Sequence, residues 1–123
     1  MLFRSNVSGA FHSPLMRPAK DGLKSALENV RFSDPKFEVF ANVDGKPVKD
    51  AGTAKQKLVD QLVSPVRWTE ELTAMAAKYP DALYVELGPG NVLAGLVRKI
   101  APNVKTITCG TAAEAAALME TVA

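Results

Sequence analysis

The chain has 123 residues, 47% of them hydrophobic and 23% charged, with a formal net charge of +2. That is enough for one domain with a real core, ordinary for a soluble protein, and too little positive charge for a nucleic-acid binder. No apolar run approaches a membrane span, and Met1-Leu2-Phe3-Arg4-Ser5-Asn6 lacks the apolar region and cleavage site of a secretory signal.

Residues 5 to 9 read as a short strand or extended lead-in to Phe11-His12-Ser13-Pro14. From Pro14 to about Val30, apolar residues recur at Leu15, Ala19, Leu23, Leu27 and Val30, one face of a helix. Phe37 to Ala41 alternates at period two and predicts a strand, and Asn42 to Pro47 is a turn-dense loop. A helix follows from Thr53 with Leu58, Val59 and Leu62 inward, stopped by Ser64-Pro65. Trp68, Leu72, Met75, Ala76 and Tyr79 mark the next helix, closed by Pro80. Ala82 to Leu87 is almost continuously apolar, as in a strand buried on both faces. Gly88-Pro89-Gly90 turns into a helix through Leu93, Leu96, Val97 and Ile100, and Val104 to Thr108 is a further strand. Thr111 and Glu114 form a capping box for the last helix, which is expected to bury Ala115, Leu118 and Val122. Strands alternating with helices predict an α/β fold, a partial parallel sheet flanked by helices. Three strong strands make a thin sheet where roughly five or six are typical, so the chain reads as part of a larger sheet or as one that pairs with another chain.

The one histidine, His12, stands at the mouth of the first helix, where Ser13 caps the open amides and Pro14 fits a position that needs no N–H. The positive end of a helix disfavours imidazolium, which suits a general base. The residues alone leave two readings open: a histidine that satisfies a buried hydrogen bond at a helix start, and a base for a hydroxyl or thiol nucleophile. No Gly-x-Ser-x-Gly elbow exists in the chain, and Ser8 and Ser13 lie too close along it to serve as nucleophile. Gly88 to Asn91 is read as a structural strand-to-helix turn, with Gly90 or Asn91 as cap. It is no dinucleotide fingerprint, because the third glycine falls at Leu93. Asp44 is read as a hydrogen-bonded turn rather than a metal loop, and Glu86 as a carboxylate that caps neighbouring amides. The single cysteine, Cys109, has no disulfide or metal companion. A small buried side chain after a strand is its expected role, and a reducing cytoplasm the expected setting.

Taken in order, Gly9-Ala10-Phe11-His12-Ser13-Pro14-Leu15-Met16, Asn42-Val43-Asp44, Gln61-Leu62-Val63-Ser64-Pro65-Val66-Arg67-Trp68, Glu86-Leu87-Gly88-Pro89-Gly90 and Val92-Leu93-x-Gly95-Leu96 carry a resemblance across nearly the whole chain. It resembles the C-terminal part of malonyl-CoA:acyl carrier protein transacylase, the acyltransferase of bacterial fatty acid synthesis. The resemblance implies residues 1–12 as the last strand of a small ferredoxin-like subdomain with the histidine-bearing lead-in. Residues 13–123 are then the C-terminal half of an α/β-hydrolase-like acyltransferase core. In that family a serine in a Gly-His-Ser-x-Gly elbow attacks the thioester of malonyl-CoA and passes the malonyl group, as an enzyme ester, to acyl carrier protein. The resemblance makes His12 the general base, the backbone carbonyl of Gln61 its orienting acceptor, and Phe11 the ring beside the acyl α-carbon, which would crowd a branched acyl group. It supplies no nucleophile, no carboxylate clamp, no metal and no cofactor, since malonyl-CoA is a substrate.

Three readings follow. The first is part of an acyltransferase, inactive alone and completed by an N-terminal part, with acyl carrier protein and malonyl-CoA as partners and neither nucleic acid nor membrane. The second is a non-catalytic half-domain that self-associates or docks on carrier protein. Arg17, Lys20 and Lys24 on the first helix either meet an acidic carrier or form an ordinary solvated face, the reading favoured here. The third, a nucleotide-binding protein, rests on Gly88 to Asn91 alone.

Overall fold

A computed structural model of the chain describes residues 9–122, with side chains to residue 120. The lead-in expected over 5–9 falls, but for Gly9, outside the described residues, as does the side chain of Val122. The chain divides into two compact units between Glu71 and Leu72.

In the first unit Ser13 accepts from Leu15 N and opens a 3-10 turn, Pro14–Met16, that runs into α1, Arg17–Glu28. Helix α2, Ala51–Gln61, packs on α1. Two ties bind the pair. Lys20 meets Asp60 at 2.7 Å, and Lys55 Nζ donates to Glu28 O and Val30 O at the carbonyl end of α1, at 3.3 and 3.5 Å. A cation there satisfies carbonyls the helix leaves open and complements its dipole. α2 starts two residues before Thr53 because Asp50 caps it, accepting from Thr53 N and Thr53 Oγ1, both at 2.7 Å. Those bonds hold the Asp50 carboxyl below its ordinary value.

Between the helices lies an antiparallel hairpin of β1, Val39–Ala41, and β2, Lys46–Val48, with Phe40 opposite Pro47. This corrects two expectations. Residues 46 to 48 are strand rather than loop, and β1 belongs to no parallel sheet. Pro47 hid β2, because a residue without an N–H reads as a breaker but is tolerated on a strand edge. The hairpin turns at Gly45, whose φ is +65°. A Cβ there would lie 3.1 Å from Glu71 N, so the turn admits only glycine without strain. Helix α3, Trp68–Lys78, begins in this unit, with Glu70 and Glu71 in its first turn and Lys78 in its last, both favourable to the dipole.

In the second unit β3, Leu83–Leu87, and β4, Lys105–Cys109, pair in parallel, Leu83 against Lys105 through Leu87 against Cys109. Helix α4, Val92–Ile100, packs on both strands, and α5, Ala112–Val122, packs on β4. Glu86 reaches from β3 to the start of α4 and accepts from Leu93 N and Ala94 N at 3.1 and 2.7 Å. It does the work expected of Asn91, which holds the cap position but makes no side-chain bond. The capping box of α5 forms both ways. Glu114 N donates to Thr111 Oγ1 at 3.2 Å, and Thr111 N and Gly110 N donate to Glu114 at 2.9 and 2.8 Å.

Burial is thinner than the patterning predicts. Val48, Val59, Leu72, Ala94, Val97 and Cys109 are buried, and no large side chain among the described residues is fully so. β3 is at most half-buried, with Leu87 77% exposed, because a two-stranded parallel sheet gives its outer edges no neighbour. Leu15 and Leu58, expected inward, are 78% and 50% exposed, and Ala115 also faces solvent. No helix among the described residues is long and apolar enough to cross a membrane.

Candidate functional site

His12 is the one described non-glycine residue with a positive φ, +58°. The left-handed region costs a residue with a Cβ about 1 kcal/mol, and the neighbouring bonds offset it. Ser13 Oγ donates to Ala10 O at 2.6 Å across the histidine, and Met16 N donates to Ser13 O at 3.0 Å. The chain thus kinks at His12 and enters the 3-10 turn at Pro14. Ser13 is committed to this geometry, accepting from Leu15 N as it donates to Ala10 O.

The kink sends the exposed imidazole to the last residue of α2. His12 Nδ1 lies 3.0 Å from Gln61 O. A carbonyl can only accept, so this bond places the proton on Nδ1 and leaves Nε2 with its lone pair. Gln61 O also accepts from Ser64 N at 3.3 Å, and as a helix-terminal carbonyl it stands at the negative end of α2. The side chain of Gln61 folds under the following turn. Its Nε2 donates to Ser64 O at 3.0 Å and to Pro65 O at 3.4 Å, and stands 3.4 Å from His12 Nδ1.

Phe11 is 52% exposed, and its ring lies over Gly9, where a Cβ would approach it to 3.4 Å. The structure therefore brings His12 and Gln61 into contact and leaves Phe11, next to His12 in the chain, as an open apolar ring. α2 also walls an apolar cavity of about 300 Å³, lined by Val39, Phe40 and Val48 of the hairpin and by Leu58 and Gln61. Asp44 forms the expected turn, accepting from Lys46 N at 3.2 Å, and pairs with Lys57 at 3.0 Å. Among the described residues no group of three or more His, Cys, Asp or Glu could hold a metal ion. Cys109 is buried and ends β4.

Sequence reasoning missed Glu71, which is 6% exposed, with Oε2 buried and without a hydrogen-bond partner. Burial pushes its carboxyl above the ordinary value, and the Asp44 carboxylate pushes it further the same way. Its position was a usable signal. Glu71 falls three residues after Trp68, in the same stripe as Leu72 and Met75.

No protein-family model matches the chain. The chain is 41% identical over 101 residues to the malonyl CoA-acyl carrier protein transacylase of Bacillus subtilis, a match covering 82% of the chain and 32% of that relative. It is 43% identical over 112 residues to the protein of the same name from Salmonella typhimurium, covering 91% of the chain and 35% of the relative. The chain thus spans about a third of the length of these curated relatives. Among solved structures, an acyl-carrier-protein-S-malonyltransferase from Bartonella henselae superposes with a TM-score of 0.86 at 37% identity, over 94% of the chain and 37% of its own. A malonyl-transacylase solved in complex with a type II PKS acyl-carrier protein superposes at 0.84 and 35% identity, over 95% of the chain and 38% of its own.

Proposed function

We propose, from the chain's homology with the malonyl CoA-acyl carrier protein transacylases over about a third of their length, that it supplies the part of an acyltransferase that carries the general base. The complete enzyme moves a malonyl group from coenzyme A to acyl carrier protein. A serine from a separate stretch of polypeptide attacks the thioester, and its proton passes to Nε2 of His12. The C–S bond breaks and the imidazolium hands that proton to the departing coenzyme A thiolate; the malonyl ester is then attacked by the carrier thiol, whose proton passes through the same nitrogen to the released serine oxygen. Gln61 O keeps the proton on Nδ1 throughout, so the base always presents the same nitrogen. Phe11 stands where a branched acyl group would be crowded. The observation that carries this reading is the 3.0 Å contact between His12 Nδ1 and Gln61 O: a ring oriented by a neutral acceptor, its second nitrogen without a partner among the described residues.

The malonyl-transacylase bound to an acyl-carrier protein supports such a protein as the acceptor. The chemistry needs no cofactor beyond malonyl-CoA as substrate, and the cytoplasm is the setting proposed for it. The sequence carries no Gly-x-Ser-x-Gly elbow and Ser13 is tied up as a cap, so on this reading the chain is inactive by itself.

The test has two parts. The chain incubated with malonyl-CoA should show no gain in intact mass. Mixed with a separately expressed upstream segment of a relative that carries the Gly-His-Ser-x-Gly elbow, it should transfer labelled malonyl to holo acyl carrier protein, and His12→Ala should abolish the transfer. Transfer that survives His12→Ala removes the base assignment, and a malonyl ester on a serine of this chain removes the missing-nucleophile argument.

A second reading, a half-domain that self-associates without catalysis, is favoured by one observation: Leu83 and Leu87 of β3 and Ile107 of β4 stand exposed on a sheet of two strands. Sedimentation of the chain over a range of concentrations separates the two, since the catalytic reading needs no second copy.

A further inference from the structure

We propose that the side-chain amide of Gln61 is a positioning group that selects the tautomer of His12. Two groups of one residue confront the same ring nitrogen: Gln61 O, an acceptor, at 3.0 Å, and Gln61 Nε2, a donor, at 3.4 Å. Each favours a different tautomer. With the proton on Nδ1, the ring donates to Gln61 O. With Nδ1 bare, the ring accepts from the amide, the proton sits on Nε2, and no lone pair faces outward to take a proton.

The turn after α2 decides between them. Ser64 O and Pro65 O lie 3.0 and 3.4 Å from Gln61 Nε2. An amide has two N–H groups, and two carbonyls are placed to take both. The same pair fixes which end of the amide is which, since after a half-turn Oε1 would face two carbonyl oxygens. With its donors spent, the amide leaves Nδ1 to Gln61 O. Its bonds also brace the segment from Gln61 to Pro65, so the carbonyl that receives Nδ1–H is held by the side chain of its own residue. The value of this to catalysis rests on the general-base reading of His12, but the tautomer itself does not.

The chain has one histidine, so its imidazole nitrogens give a single pair of long-range proton–nitrogen correlations that need no assignment. In the full chain, at a pH where the ring is neutral, Nδ1 should resonate as a protonated nitrogen and Nε2 as a bare one. Gln61→Leu removes the brace and keeps the backbone carbonyl. Without the brace the carbonyl no longer holds the Nδ1–H bond in place, and the ratio of Nδ1–H to Nε2–H should fall by about fivefold, the worth of that one hydrogen bond. Gln61→Glu should restore the Nδ1–H form, because a carboxylate shuns the two turn carbonyls and accepts from Nδ1–H directly. A merely structural role for Gln61 moves backbone spectra and leaves the tautomer ratio alone.

The proposal is overturned by an Nε2–H ring in the unsubstituted chain, a result that needs no variant to fold. It is overturned equally by a Gln61→Leu chain, folded by its backbone spectrum, that keeps the original ratio. Either result is independent of the transfer assay with His12→Ala, where the general-base reading stands or falls alone.

Discussion

Replacing Glu71 by glutamine should make the protein more stable at neutral pH. The side chain is 6% exposed and its Oε2 has no partner, so an ionised carboxylate there meets the desolvation cost of an unpaired polar oxygen, about 1–3 kcal/mol. The Asp44 carboxylate adds repulsion. The amide carries no charge and turns repulsion from Asp44 into attraction. Because the folded-state value lies above 4.5, the protonated form stabilises the fold. That contribution is fully present below the unfolded value and is lost as pH rises through the raised one. The gain from Glu71→Gln should therefore be near zero around pH 4.5 and widen toward neutrality to about 1–3 kcal/mol. In thermal melts this is a rise of several degrees, at about 3–5 °C per kcal/mol for a chain of this size. Urea titrations at a series of pH values check it. A variant less stable than the parent at pH 7, or a gain that does not shrink on acidification, refutes the reasoning.

Glu86→Ala should remove two bonds from the start of α4 and cost about 1–2 kcal/mol, seen as faster hydrogen exchange at the Leu93 and Ala94 amides before the rest of the helix opens. Gly45→Ala should cost at least about 1 kcal/mol for the left-handed backbone alone. Gly22→Ala, inside α1 with no atom within 4 Å of the new Cβ, should stabilise by about 0.5–1 kcal/mol, and denaturant midpoints compare the two. The Glu114 carboxyl is held below its ordinary 4.5 by the amides of Gly110 and Thr111 and the hydroxyl of Thr111. Its contribution is therefore present above that value and lost as pH falls through the lowered one, and Glu114→Gln should flatten that part of the acid unfolding curve.

The residues that announced themselves did so through short-range bonds. Ser13, Thr111 with Glu114, and Glu86 each satisfy amides a few residues away, and the pattern that marks such a cap is local enough to see in the letters. Contacts across long stretches were not visible from periodicity. His12 and Gln61 are 49 residues apart, and the resemblance, rather than any spacing, set them side by side. The side-chain role of Gln61 was invisible even to the resemblance, because it depends on where two carbonyls of the next turn point. β2 was lost to a proline, and Glu71 was lost because a stripe of apolar residues is scanned for what belongs in it and not for the one acid that does not. Leu58 and Leu87 show the opposite error. Apolar patterning tells which face seeks cover, and whether cover arrives depends on elements beyond the pattern.

α1 leaves from the kink that holds the imidazole, and α2 ends on the carbonyl that receives it, so two helices packed against each other and pinned by Lys20 and Asp60 form a caliper with the ring on one jaw and its anchor on the other. Both jaws lie in the first unit. On the acyltransferase reading proposed above, an incoming hydroxyl would meet a tool already adjusted.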